Sequence, residues 1–286
     1  LGHPSMIHAR VDTSDLYWTR AGASGWSTSL VTSGVDLDAP ITHMIDDSND
    51  KWVVYRDSTD SSLSTSYLPL NSWITTTLVP AGSAKSDGHA ATILSNGSLA
   101  VISVVDISGS DSLNLTILNG SELSTESLNA SPNRDAHFQL LESSGMLYAV
   151  WQNNTDGECV GMSRSLNGSN WTRDWSWFAN TSISAPLIIK DADSSPHVLC
   201  SGGALGADGR LVNLSDSTMV PFTLDSDGSS IRSYYDVAGG TYLIRDTSAD
   251  GGSISLLSEN SDFPMRVRTP ISGEVVNHAD LTMSSD

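Results

Sequence analysis

Ala39-Pro40-Ile41-Thr42-His43-Met44-Ile45-Asp46-Asp47, a polar turn, and then Lys51-Trp52-Val53-Val54-Tyr55-Arg56-Asp57 decide the fold. Both runs are short and rich in β-branched and aromatic residues, and Asp, Ser and Asn separate them, as in a β-hairpin. A weaker run follows at residues 63–68 and a fourth at 73–79. Four such runs make one antiparallel unit, and nothing in the chain carries a sustained helical period.

The unit recurs. Asp87-Gly88-His89 opens the next copy, which turns at Asn96-Gly97 and continues through residues 99–106, 113–118 and 122–128. Asp135-Ala136-His137 opens another, with a turn at Ser144-Gly145 and runs at 146–152, 159–163 and 171–178. A further copy passes through Pro186, residues 196–200 and 210–213, and ends near 221–224. The last full copy begins at Arg232-Ser233-Tyr234, turns at Gly239-Gly240 and continues through 241–246, 253–257 and 265–268. The spacing of about 46 residues is that of four-stranded propeller blades.

The ends supply one more unit. Residues 277–282 read as a first strand with nothing after it, and 5–12, 16–20 and 26–31 read as the other three. The expectation is an all-β, six-bladed β-propeller of four-stranded antiparallel blades in one domain over residues 1–286. Its blades span 275–286 plus 1–34, then 39–82, 87–131, 134–181, 184–228 and 231–273. A blade shared between the termini closes the ring and removes exposed sheet edges.

Ser165-Leu166-Asn167-Gly168-Ser169-Asn170-Trp171 resembles a degenerate Asp-box, with Asn167 in place of the usual Asp and one residue fewer in the spacing. Gly22-Ala23-Ser24-Gly25-Trp26 and Leu70-Asn71-Ser72-Trp73 end in Trp at similar places. The chain thus resembles the sialidase-like propellers with Asp-box repeats. That resemblance implies the fold and no catalytic residue, because the box is a structural turn. Sialidase chemistry is not expected, since Arg10, Arg56, Arg134, Arg232 and Arg245 show no legible convergence.

Composition bounds the partners. Asp and Glu number 33 against 14 Lys plus Arg, a net charge of -19. Nucleic acid and anionic membranes need a basic surface, so neither is expected. No apolar run approaches the roughly 20 residues that span a bilayer. Sequons occur at Asn96, Asn114, Asn119, Asn129, Asn153, Asn167, Asn170, Asn180 and Asn213. In a glycosylating source they mark an extracellular or cell-surface glycoprotein. Cys159 and Cys200 can form one bridge in an oxidising compartment and would be buried thiols in the cytosol.

Histidine recurs at His43, His89, His137 and His278, each at the start of a first strand, and Tyr234 falls near the same place. First strands line a propeller channel, so these five are candidate ligand-binding residues. Convergent imidazoles suit a transition metal. His89, His137 and Tyr234 are the candidate acid/base residues of a lyase or hydrolase acting on polysaccharides. The alternative is that each histidine bonds a backbone group in its own blade. Asp46, Asp47, Asp50, Asp191, Asp193, Asp225 and Asp227 sit in turns that could offer oxygens to calcium, although local backbone bonds explain them equally. Trp175 and Trp177 share a strand face, either for packing between blades or for stacking on sugars.

The first expectation for function is a non-enzymatic recognition or assembly module, a surface glycoprotein or a layer or filament component. Its partner is a glycan or a protein at the cell surface, with homo-assembly a further expectation. The alternatives are the polysaccharide-acting enzyme and a metal-binding propeller.

Overall fold

The computed structural model describes residues 5–22, 25–46, 48–69, 72–107, 110–130, 136–153, 158–178, 186–190, 196–202, 208–222, 230–237, 240–247, 253–260 and 263–268. All regular structure among them is β. It falls into two compact units, Leu1–Asp135 with three sheets and Ala136–Met283 with three more.

In the first unit, β1 (Ser5–Arg10), β2 (Asp15–Gly22) and β3 (Gly25–Thr32) form the first sheet, in that order. The second sheet is β4 (Thr42–Ile45), β5 (Lys51–Arg56), β6 (Leu63–Leu68) and β7 (Ile74–Val79). The third is β8 (Ala84–Ile93), β9 (Leu99–Ile107), β10 (Ser110–Asn119) and β11 (Glu122–Ser127). All pairings are antiparallel and join consecutive strands. The three N-terminal strands thus share a sheet, as the sequence implies. Residues 277–282, expected to supply its fourth strand, lie outside the described residues.

Packing explains the sequence of β5. Val53, Tyr55 and Leu68 cluster with Leu16, Trp18 and Val31 of the first sheet. Trp52 and Val54 cluster with Leu99 and Val101 of the third. A strand covered on both faces reads as a continuous apolar run, hence Trp-Val-Val-Tyr without alternation. The first strands β4 and β8 lie side by side. Strand β8 begins at Ala84, earlier than the expected Asp87. A register shift between Ala84 and His89 absorbs the extra residues.

In the second unit, β12 (His137–Ser143), β13 (Met146–Gln152), β14 (Glu158–Ser165) and β15 (Thr172–Phe178) form one antiparallel sheet. Strands β16 (Leu187–Lys190), β17 (Pro196–Gly202), β18 (Asp208–Asn213) and β19 (Met219–Phe222) form the next. The last is β20 (Ser230–Val237), β21 (Gly240–Thr247), β22 (Ser253–Asn260) and β23 (Phe263–Arg268). A disulfide joins Cys159 of β14 to Cys200 of β17 across 6.3 Å between Cα atoms, so it ties two neighbouring sheets. Around it pack Tyr148, Val150, Trp175, Val198, Val212 and Leu214. Gly161 is required here, because a Cβ at that position would collide with the Trp175 ring.

Candidate functional site

The turn Asp46–Asp50 is closed by its own side chains. One Asp46 oxygen, Oδ1, accepts from the backbone N–H of Ser48 and of Asp50, each at 2.9 Å. The other, Oδ2, accepts from Trp52 Nε1 at 3.0 Å. The Tyr67 hydroxyl donates to Asp50 Oδ2 at 2.7 Å, and Tyr67 stacks on Trp52 with centroids 4.0 Å apart. The Asp50 carboxylate, with burial, pushes the Tyr67 phenol up to about 12. These carboxylates are therefore engaged in local structure. Asp47, Asp191, Asp193, Asp225 and Asp227 lie outside the described residues. Among the described residues no group of three or more His, Cys, Asp or Glu side chains is placed to hold a metal.

The same end of the second sheet carries a second aromatic group with the opposite character. On β2, Leu16 and Trp18 turn toward the second sheet because alternate residues of a strand share a face. Trp18 meets Trp73, the residue just before β7, edge to face with centroids 6.2 Å apart and planes at 82°. The Arg20 guanidinium lies over the Trp18 ring at 5.2 Å, and Lys51 Nζ lies 5.9 Å from its centroid. Lys51 also donates to the Asn49 carbonyl. Trp18 is only 8% exposed. Neither the Trp18 nor the Trp73 indole N–H, both buried, has an acceptor among the described residues. A buried donor left unmatched costs about 1–3 kcal/mol. Trp52 donates to Asp46; among the described residues no acceptor meets the indole N–H of Trp18 or Trp73.

The sequence-predicted histidines are dispersed in environment. His43 is half-buried on β4. His89 on β8 is 6% exposed and bonded to the Val54 backbone, with no partner at Nε2 among the described residues. The carbonyl it reaches belongs to β5, so the bond crosses from the third sheet to the second and stays outside the histidine's own sheet. His137 is exposed at the start of β12. Tyr234 lies on β20, and His278 lies outside the described residues. The structure brings together β4 and β8, the strands that carry His43 and His89.

Among the sequons, Asn96, Asn119, Asn129, Asn167 and Asn170 are exposed and Asn213 is half-buried. Asn114 and Asn153 are buried, and Asn114 accepts from the Ser112 hydroxyl. A glycan on either would require the local structure to open. Asn180 lies outside the described residues. The Asp-box-like segment forms a turn in which Gly168 N–H donates to the Ser165 carbonyl at 2.9 Å. Arg164 donates to the Gly168 carbonyl and stacks on Trp171. Trp175 is buried and Trp177 half-buried in the core about the disulfide, so both pack between sheets.

Sequence reasoning missed the pairing of Trp18 and Arg20 with Trp73 and Lys51. One local signal existed: Trp18 and Arg20 stand two apart on one strand, and so on one face.

No family model matches the chain, and no curated protein sequence matches it. Solved structures do. The fucose-binding lectin of Aleuria aurantia, described as a six-bladed β-propeller, is similar at a TM-score of 0.59 with 14% identity. The match covers 94% of this chain and 96% of the lectin. AofleA of Arthrobotrys oligospora matches at 0.59 with 10% identity, over 93% of this chain and 86% of that one. An ulvan lyase bound to an oligosaccharide of GlcA and Rha3S matches at 0.62 with 12% identity, over 91% of this chain and 78% of that one. At such identities the likeness shows the fold: the chain is an all-β protein of the propeller class, its described residues forming five four-stranded antiparallel sheets and one of three strands.

Proposed function

We propose that this chain is a closed, six-bladed, glycan-recognising propeller that works outside the cell without catalysing a reaction, and that the seam between its first and second sheets binds the saccharide. The observation that carries the reading is the aromatic seam of Trp18 and Trp73 with the exposed Arg20 guanidinium lying over the Trp18 ring. Aromatic faces stack on sugars and N–H donors hold their oxygens. The structurally similar lectins and lyase, which are described with saccharides, favour the same ligand class. The first 95 residues contain no sequon, so glycans of the protein's own would leave this seam clear. The sequons and the disulfide support an oxidising, extracellular setting.

Closure has its own support. The face of the first sheet turned away from the second carries Met6, Trp26 and Leu30, exposed by 49%, 59% and 48%. Such a face calls for a covering sheet, and residues 277–282 have the pattern to add the missing fourth strand beside β1.

A lyase reading through His89 would need that ring to reach a solute, and it is buried against Val54. The test is binding of purified protein to a panel of neutral and acidic oligosaccharides, followed by Trp73→Phe. Phenylalanine keeps a ring and removes the larger indole face. The expected result is saccharide binding weakened at least tenfold by W73F; binding that W73F leaves unchanged would refute this seam as the site.

A further inference from the structure

The donors and acceptors of the seam are unequal, and that inequality selects a ligand. Arg20, Lys51, Trp18 and Trp73 supply guanidinium, ammonium and two indole N–H groups. All four are donors only. The nearby carboxylates, which would balance them, are engaged by other groups: Asp46 holds Trp52 and the turn, and Asp50 holds Tyr67. Among the described residues Arg20 pairs with no carboxylate and has only the Trp18 ring against it. A neutral sugar hydroxyl both donates and accepts, so a site made for neutral sugar normally contains acceptors. Two cations, with no carboxylate on Arg20 among the described residues, are matched instead by a group with acceptor oxygens only.

From this geometry we infer that the seam recognises an anionic saccharide, whose sulfate or carboxylate oxygens lie against Arg20 and Lys51 while a sugar ring stacks nearby. The inference rests on the reading of this seam as a glycan site and adds the charge of its ligand. Charge placement across the chain supports it. With only 14 Lys and Arg against 33 acidic residues, two cations beside a single indole are a local concentration of the chain's few positive groups. The net charge of -19 also disfavours casual adsorption of polyanions, so binding of an anionic saccharide would report a specific site.

The experiment titrates the full chain by calorimetry with three probes. They are a chondroitin sulfate tetrasaccharide, a galacturonate tetramer carrying carboxylates alone, and neutral chitotetraose. The exposed Arg20→Gln and the conservative Arg20→Lys are compared with the native chain, since neither disturbs the buried rings. The inference expects one or both anionic probes to bind at least tenfold more tightly than chitotetraose. It expects R20Q to erase that preference, R20K to restore part of it, and added salt to weaken it. The sulfated and uronic probes separate the two sources of anionic oxygen. If chitotetraose binds as well as the anionic probes and only W73F weakens it, the seam remains a glycan site and the inference about charge is overturned. If no probe binds, both readings fall together.

Discussion

Acidification should destabilise this protein through His89, and the burial of its ring gives the sign of the effect. Burial holds the His89 imidazole at about 4, against an ordinary 6.5, and the hydrogen bond to the Val54 backbone opposes that lowering only in part. Because the folded value is depressed, the neutral ring contributes stability that is fully present above the unfolded value near 6.5. That contribution is lost as the pH falls toward 4. A tenfold change in a protonation equilibrium corresponds to roughly 1.4 kcal/mol, so the loss is about 2 kcal/mol by about pH 5 and about 3 kcal/mol by about pH 4. A competing effect has the opposite sign: a chain of net charge -19 sheds self-repulsion as its carboxylates protonate. The measurement must therefore be a difference. Urea unfolding of the native protein and of His89→Gln, from pH 7.5 down to 4, cancels the common carboxylate titration. Glutamine can still donate to the Val54 carbonyl but does not titrate. The native curve should lose about 2–3 kcal/mol more than the variant across this window. Parallel curves would refute the assignment of a buried neutral imidazole between the second and third sheets.

The disulfide closes a sequence separation of 41 residues, for which the chain-entropy relation gives about 4 kcal/mol. The double variant Cys159→Ser, Cys200→Ser should unfold at correspondingly lower denaturant, and equal midpoints would show that the bridge adds no stability. Protein from its native source should carry glycans at several of Asn96, Asn119, Asn129, Asn167 and Asn170 and none at the buried Asn114 and Asn153; glycopeptide mass spectrometry finding only bare asparagine at the exposed sites would remove that support for secretion. Deleting residues 275–286 should lower the unfolding midpoint and raise binding of an apolar dye at the face of Met6, Trp26 and Leu30 if the ring closes there, and an unchanged midpoint would count against closure.

The strands were legible because their signals are local. Trp52-Val53-Val54-Tyr55 is apolar on both faces and buried on both. The turns at Asn96-Gly97 and Ser144-Gly145 place Gly97 at φ 81° and Gly145 at φ 74°, values that glycine adopts freely. The beginning of β8 was not legible, since Ala84-Lys85-Ser86-Asp87-Gly88 has the composition of a turn and only pairing with β9 draws it into a sheet. The histidine repeat was visible as a pattern, but its meaning lay in which backbone each ring meets. The His89 partner, Val54, belongs to a different sheet and far upstream in sequence, where no local rule reaches.

The same distinction of range explains why the candidate site had to be found by its unmet donors. Trp52 and Trp73 lie at one end of one sheet, and composition treats them alike. Trp52 has an acceptor six residues upstream, Asp46, and a tyrosine directly across the ladder. Trp73 meets Trp18 from a separate sheet, and neither brings an acceptor. Sequence shows the rings and the repeats. Only the packing shows which indoles the described residues satisfy, and the unmet pair, Trp18 and Trp73, stands beside Arg20 and Lys51.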